Sequence, residues 1–365
     1  MAYTAIAKPS VHFNSGIFDG TGASHAITGL GFQPDWVVGK SREEAFSWGC
    51  YDSTRGATKF LDTDTATAEG TDAEGLKSFD SDGFTLGDSD SDPAFNDTDF
   101  ESYFFAFKAN AGTRVTFTES GANPGGGYQV NTTAGFSIVD YTGTGSAGTV
   151  SHGLGVKPAW IWIKNRDSGQ AWATYYSDTG FITDPETDQM FLDSNSGSAD
   201  DSTFFNDTAA TTSVFSVGTA VNTNTDSEKY IAYVFAEVQG FSHFGVYNGF
   251  ENKSNGPMIY CGFRPRMTIV KRTDGNEVWT QLDKERTVRG KDSATGLDGN
   301  PVEQKLTIDG AIVENSGATD TDYYATGFKA RHTDGAANWT NYKYIYAAFA
   351  DHPTVGSNGT IALAR

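Results

Sequence analysis

Short stretches in which apolar and polar residues alternate recur along the chain in a fixed order. Aromatic stretches that end in a glycine turn lie at 12–20, 136–143 and 241–249. A Gly-x-x-Pro signature followed by a second apolar stretch lies at 31–38, 155–162 and 262–269. Alternating aromatic stretches close each unit at 103–108, 230–235 and 344–349. Because this order occurs three times, it predicts three copies of one structural module.

The prolines of the signature predict where strands begin. Proline has no backbone N–H, so it belongs at the start of a strand rather than inside one. The six signature residues are Pro34 and Trp36, Pro158 and Trp160, and Pro265 and Met267. The alternation of Trp36 with Val38 predicts a half-buried strand. Segments such as Phe79–Leu86, with Asp and Gly between apolar positions, predict hairpins.

These elements predict an all-β fold, because the sequence contains no convincing amphipathic helix of three turns. We expect three tandem antiparallel β-sandwich domains at residues 1–110, 133–237 and 238–352. Residues 111–132, rich in Gly and Asn, are predicted to be a linker, and residues 353–365 a C-terminal tail. Three such domains in tandem would form an elongated rod.

Composition and charge narrow the classes of partner. The 365 residues include 42 Gly and 10 Pro, which indicates many turns. A net charge of −20 repels nucleic acid and anionic membranes. No signal peptide and no run of 18 apolar residues are found, so we expect synthesis in a cytoplasm and no membrane insertion. Cys50 and Cys261 fall in different modules and are expected to be unpaired apolar residues.

Four segments resemble a family of repeat-bearing proteins from marine tailed bacteriophages. These short stretches are Ala2–Ser10, Thr28–Trp36, Asp52–Leu61 and Phe79–Gly87. Members of this family are virion structural proteins, often described as tail-fibre-like or as lectin-like jelly rolls of the concanavalin type. The resemblance implies a jelly-roll form for the sandwiches and a location in the virion, and it brings no catalytic residues with it.

The expected function is therefore that of a non-enzymatic structural protein, exposed on a bacteriophage particle as an appendage, a fibre or a capsid decoration. A host-glycan-binding adhesin or lectin module of the tail is the alternative. Other virion proteins and further copies of the chain are the expected partners, with a host surface glycan as a partner in the alternative.

No enzyme motif is found in the sequence. GxSxG, HExxH and GxxxxGK[ST] are all absent. His25 and His152 each follow a serine and precede the proline signature, which favours a shared role in packing or in a turn over catalysis. A glycosidase would need two carboxylates across a sugar cleft, an arrangement that the sequence alone leaves open.

One acidic loop has the spacing of a calcium-binding loop. Asp88, Asp90 and Asp92 alternate, and Asp99 follows eleven residues after the first. Alternating carboxylates are typical of EF-hand ligands, but Pro93 stands where such a loop needs glycine. A solvated acidic hairpin tip is the competing interpretation. Apart from this Ca²⁺ candidate, no cofactor is expected.

Exposed tryptophans are candidates for stacking on sugars. Trp48, Trp172 and Trp279 each lie 12 residues after a signature position, and this repetition favours a core role for all three. Trp339 has no counterpart in the other units. It is therefore the candidate for an exposed, glycan-binding aromatic residue.

Overall fold

The computed structural model describes residues 6–88, 95–177, 186–252, 255–286, 302–331 and 333–353, together with residues 4, 93, 184 and 300. Strands make up 46% of the structure and helices 3%. The strands pair antiparallel, so the predicted all-β antiparallel fold is confirmed. No helix in these residues has the length and apolar character that crossing a membrane requires.

The first segment begins with a 3₁₀ turn at Pro9–Val11 and forms two sheets. Its strands are β1 (Phe13–Asp19), β2 (His25–Thr28), β3 (Trp36–Ser41), β4 (Gly49–Asp52), β5 (Lys59–Asp62), β6 (Gly70–Thr71), β7 (Leu76–Asp80), β8 (Gly83–Leu86) and β9 (Glu101–Phe107). The larger sheet has the order β1-β9-β3-β4-β5-β6 and the smaller one β2-β8-β7. The hairpin predicted at Phe79–Leu86 is confirmed. Gly83 is required there, because a Cβ would lie 1.8 Å from the carbonyl oxygen of Ile27.

The second segment adds strands at one edge of its main sheet. Its elements are β10 (Val115–Phe117), β11 (Gly125–Asn131), β12 (Phe136–Thr142), β13 (Gly148–Ser151), β14 (Trp160–Asn165), β15 (Ala173–Tyr176), β16 (Asp188–Phe191), β17 (Ala199–Asp200), α1 (Ser202–Phe205), β18 (Val214–Val217), α2 (Val221–Asn224) and β19 (Lys229–Phe235). The main sheet runs β10-β11-β12-β19-β14-β15-β16-β17, and β13 pairs with β18. Residues 111–132 are therefore not only a linker, because β10 and β11 within them pair onto β12.

The third segment forms one continuous sheet that includes the counterparts of both sheets of the first. Its strands are β20 (Ser242–Asn248), β21 (Met258–Tyr260), β22 (Phe263–Arg272), β23 (Thr280–Asp283), β24 (Val302–Thr307), β25 (Asn315–Tyr324), β26 (Gly327–Ala330) and β27 (Lys343–Pro353). Their order is β20-β27-β22-β23-β24-β25-β26-β21. Of the predicted tail, Pro353 belongs to β27, and residues 354–365 lie outside the described residues.

One strand order is common to all three main sheets. The first strand of each unit pairs with the last, and the last pairs with the strand of the proline signature, in β1-β9-β3, β12-β19-β14 and β20-β27-β22. Pro34 and Pro158 precede their strands, as expected. Pro265 instead lies inside β22, where the register shifts on both sides of it. This irregularity accommodates a residue that cannot donate to the ladder.

A central core joins the three segments. Its buried residues include aromatic side chains from every unit, among them Trp36, Trp160 and Trp279. At its centre lie three phenylalanines, Phe107, Phe235 and Phe349. Their ring centroids are 5.6 Å apart for Phe107 and Phe235, 5.0 Å for Phe107 and Phe349, and 5.9 Å for Phe235 and Phe349. They pair across the strands with the signature residues Trp36, Trp160 and Met267.

The opposite face of each main sheet is also buried. Separate clusters fill the space within the first, second and third segments. As a result, every residue of β3 and β14 is buried. The predicted half-buried strand is therefore wrong, because one face meets the central core and the other meets the core of its own segment.

Three tryptophans close a ring of hydrogen bonds around this core. The indole N–H of Trp48 donates to the third segment, at Thr307 O (2.8 Å). Trp172 donates to the first, at Asp62 O (2.8 Å), and Trp279 to the second, at Phe191 O (2.9 Å). The core role predicted for these tryptophans is confirmed. The expected rod of separate domains is wrong, since each segment packs against both of the others.

Replacing Phe235 with alanine tests the shared core. We expect a loss of about 3–5 kcal/mol in the free energy of unfolding, as for other buried phenylalanines. Because the ring also contacts Phe107 and Phe349, amide hydrogen exchange should speed up in β9 and β27 as well as in β19.

Phe84→Ala is the matched control, because this ring lies in the core of the first segment alone. Faster exchange in that variant should stay within the first segment. Acceleration confined to the second segment in Phe235→Ala would contradict a common core.

Candidate functional site at the seam between the second and third segments

The structure describes part of the predicted calcium loop. Asp88 is exposed and close to Glu74, whose pKa is lowered by hydrogen bonds to Lys77 and then to Asp88. Asp99 lines a surface depression with Asp19 and Glu101. Asp90 and Asp92 lie outside the described residues. Within the described part of the chain, no three His, Cys, Asp or Glu side chains form a group that could hold a metal ion. Calcium binding at this loop stays a prediction.

Of the residues expected to be structural, His25 begins β2 and is half-buried, and His152, Cys50 and Cys261 are buried. His152 is buried and its Nδ1 accepts a hydrogen bond from the N–H of Leu154 (3.2 Å). Burial lowers the pKa of this imidazole. The Nδ1 of His25 lies 3.2 Å from the amide oxygen of Asn96. Cys50 and Cys261 are both free and buried.

Trp339 is on the surface, where 38% of it is exposed. Its ring packs beside that of Tyr342, with centroids 5.9 Å apart. On Tyr342 lies the guanidinium of Arg272, whose carbon is 3.5 Å from the ring centroid. Arg272 in turn donates to a carboxylate oxygen of Asp274 (2.9 Å). These four side chains form a continuous aromatic and charged strip, which we call the Trp339 strip.

The Trp339 strip ends at one of three contacts between segments, which we call seams. Each seam has the same backbone hydrogen bond. Glu69 N–H donates to Arg166 O (2.9 Å) at the first–second seam, and Glu314 N–H donates to Arg42 O (2.7 Å) at the third–first seam. Ser198 N–H donates to Thr273 O (2.8 Å) at the second–third seam. The three seams therefore share one backbone hydrogen bond, and the second–third seam has a further one, from the N–H of Glu277 to Asn195 O (2.8 Å).

Side chains close two of these seams. Arg166 donates from Nε and Nη2 to the two carboxylate oxygens of Glu69, at 2.8 and 3.1 Å. Arg42 makes the same bidentate contact to Glu314, at 2.9 and 2.6 Å. Such paired hydrogen bonds fix both groups in one geometry. A planar ion pair therefore fills the space between the segments at both places.

The second–third seam has Thr273 where the others have arginine, and Ser198 where they have glutamate. A cleft of about 430 Å³ lies there. Its lining consists of Ser196, Gly197, Ser198, Thr273, Asp274, Gly275, Asn276 and Lys343. Gly197 also lets the segments approach closely, because a Cβ would lie 2.7 Å from the carbonyl oxygen of Thr273. Two shortened side chains therefore leave a polar groove at this seam.

Buried lysines hold the loops beneath two seams. Lys164 donates to Ala66 O (2.9 Å) at the first–second seam, and Lys271 donates to Asn195 O (2.8 Å) at the second–third seam. Burial lowers the pKa of each to about 8. Burial also raises the pKa of Asp193 to about 6. The two lysines bind backbone carbonyls of a neighbouring segment and so join the segments, whereas Asp193 accepts a hydrogen bond from the N–H of Trp172 in its own segment (3.0 Å).

Sequence reasoning placed Trp339 at the surface but missed Ser198 and Thr273. The signal was present, because Arg42, Arg166 and Thr273 each lie six residues after a signature residue. Aligning the three units position by position would have shown that the arginine is lost in the third. That its loss opens a cleft depends on the ring-like packing of the segments, which the sequence did not reveal.

The comparison with protein families agrees with one continuous body. A family described as a domain of unknown function (DUF7483) matches residues 8–353. The chain belongs to the DUF7483 family. Its match spans all three segments, as does the central core. No curated protein and no solved structure matches the chain.

Lys164 and Lys271 give the protein a specific pH dependence. The ordinary lysine pKa is 10.5, so between about pH 8 and 10 the unfolded chain binds more protons at these positions than the native chain. The contribution of the two lysines to the free energy of unfolding therefore rises with pH in this range. We expect Lys164→Met/Lys271→Met to remove that rise, as measured by urea denaturation.

The comparison with the unsubstituted chain isolates the lysines from other groups. Burial raises the pKa of Cys50 and Cys261, so the thiols destabilise the fold as pH rises and act in the opposite direction. Lys157→Met, at an exposed position, is the matched control. An equal pH slope in the double variant and the unsubstituted chain would refute the assignment.

Proposed function

We propose that this protein is a non-enzymatic structural component of a bacteriophage particle, displayed on its outside as an appendage, a fibre or a capsid decoration. The resemblance of Ala2–Ser10, Thr28–Trp36 and further segments to virion proteins of marine tailed phages supports this proposal. The protein would be made in the host cytoplasm and incorporated into the virion. It would bind other virion proteins and further copies of itself.

The observation that carries the proposal is the closed central core. Each of the three tryptophans that ring it binds the backbone of a neighbouring segment. A body tied in this way resists local opening, because no segment can separate without exposing buried aromatic surface. That property suits a protein that must persist on a particle in the open environment. We further propose that each segment is a β-sandwich of jelly-roll type.

Saccharide recognition is a second candidate function, as expected of an adhesin or lectin module. The exposed ring of Trp339 beside a polar cleft favours it. Binding sites for small polar ligands commonly combine aromatic surfaces with a few placed hydrogen-bonding groups. The two functions are compatible, since a particle protein that faces outward can also contact a host surface.

Particle analysis tests the first proposal. Phage particles purified by density gradient should contain the protein in fixed copy number, as measured by mass spectrometry, and immunogold labelling of intact particles should place it on the outside. A known non-virion protein of the same lysate serves as the contamination control. Recovery of the protein from the lysate but never from purified particles would end the proposal.

A further inference from the structure

We infer that the open second–third seam is a binding site for a neutral saccharide, with one sugar unit in the cleft and an adjoining unit on the Trp339 strip. This inference rests on the second candidate function and assigns it to named residues. The inference is based on a contrast between the seams. This seam has Ser198 and Thr273 and is open, whereas glutamate and arginine close the other two.

The fold does not need the opening. The backbone hydrogen bond at Ser198 and Thr273 is the same as at the other seams, so these residues already suffice for joining the segments. The first–second seam shows that a Glu–Arg pair fits the same backbone. The cleft is therefore a local departure from the repeat pattern, and such departures are expected where a protein binds a ligand.

The lining of the cleft matches a polyhydroxylated ligand. Ser196 and Ser198 supply hydroxyl groups that both donate and accept, and Asn276 supplies an amide with both functions. Asp274 and Lys343 add one carboxylate and one ammonium group, so the lining has no excess of either charge. The volume of about 430 Å³ lies within the range of about 300–1,000 Å³ that is usual for small-molecule sites.

The net charge of the chain disfavours acidic saccharides as ligands of the cleft. The chain carries a net charge of −20, which repels a polyanionic ligand before it reaches the cleft. The cation within the strip, Arg272, is already paired with Asp274 and stacked on Tyr342. A neutral sugar meets neither this repulsion nor a need to displace that pair.

The Trp339 strip extends the cleft with an apolar surface. Asp274 lines the cleft and holds Arg272, which lies on Tyr342, and Trp339 follows at the outer end. An exposed aromatic ring offers an apolar face to the C–H side of a sugar ring, while its neighbours remain in water. The order of these groups predicts a ligand of at least two units.

Closing the seam tests the inference. Thr273→Arg/Ser198→Glu transplants the ion pair of the first–second seam into the cleft. A glycan array of bacterial surface oligosaccharides should give at least one hit with the unsubstituted full-length chain. Calorimetry with that oligosaccharide should then show at least a tenfold loss of affinity in the closed variant, with an undiminished melting temperature.

Two further variants separate this site from other surfaces. Trp339→Ala removes an exposed ring and should weaken binding by about tenfold without unfolding the chain. Tyr260→Ala/Tyr324→Ala is the matched control, because these tyrosines of the third segment are 67% and 41% exposed and belong neither to the cleft lining nor to the Trp339 strip. Their substitution should leave the affinity unchanged.

Each failure has a distinct meaning. An array with no signal for the unsubstituted chain overturns saccharide binding itself, and with it this inference. Binding that survives the closed variant keeps the function and overturns its assignment to the seam. Loss of binding in the tyrosine variant alone would move the site to the surface around Tyr260 and Tyr324.

Discussion

The contact among the rings of Phe107, Phe235 and Phe349 is the interaction on which the rest of the structure depends. Each ring comes from the last strand of its unit, which lies between two others in its main sheet. Because these sheets are covered on both faces, no segment can bury its apolar surface alone. A single segment in water would expose a contiguous aromatic face, and such patches drive association. The three copies are therefore parts of one core.

This packing turns small sequence differences into differences of surface. The indole hydrogen bonds and the backbone contacts at the seams repeat around the core, so the segments occupy equivalent positions. At one of the three equivalent seams, threonine replaces arginine and serine replaces glutamate. The smaller side chains leave a cleft that a ligand can enter. Arg42 and Arg166 in the first two units form ion pairs with a neighbouring segment, whereas Thr273, at the equivalent position of the third unit, forms none. Repetition fixes the scaffold, and departures from it create the candidate site.

Much of the fold could be predicted from local patterns. Aromatic alternation and the prolines located strands such as β3 and β14, and Asp-Gly chemistry located the β7–β8 hairpin. Local patterns could not show that strands are covered on both faces, since that depends on contacts between distant segments. The same limit applies to β10 and β11, whose Gly-rich sequence is typical of a linker until they meet the edge of β12.

Only part of the candidate site could be predicted from the sequence, for a related reason. Trp339 stood out because no other unit has it, whereas Ser198, which is half-buried, and Thr273, which is buried, show no distinguishing feature until the seams are compared. The replacement of an arginine and a glutamate by smaller residues leaves no motif in the sequence. Its consequence can be recognised only when the repeat supplies the missing residues for comparison and the structure shows where they would lie.

Small-angle X-ray scattering of the full chain tests the shared core most directly. A compact body of 365 residues should have a radius of gyration of about 21 Å. Three separate domains in a row would give roughly 30 Å, because each of about 100 residues has a radius of gyration near 13 Å by itself. A value near the first number, with a compact distance distribution, is the expected result. A value near the second, with an extended distribution, would contradict the account.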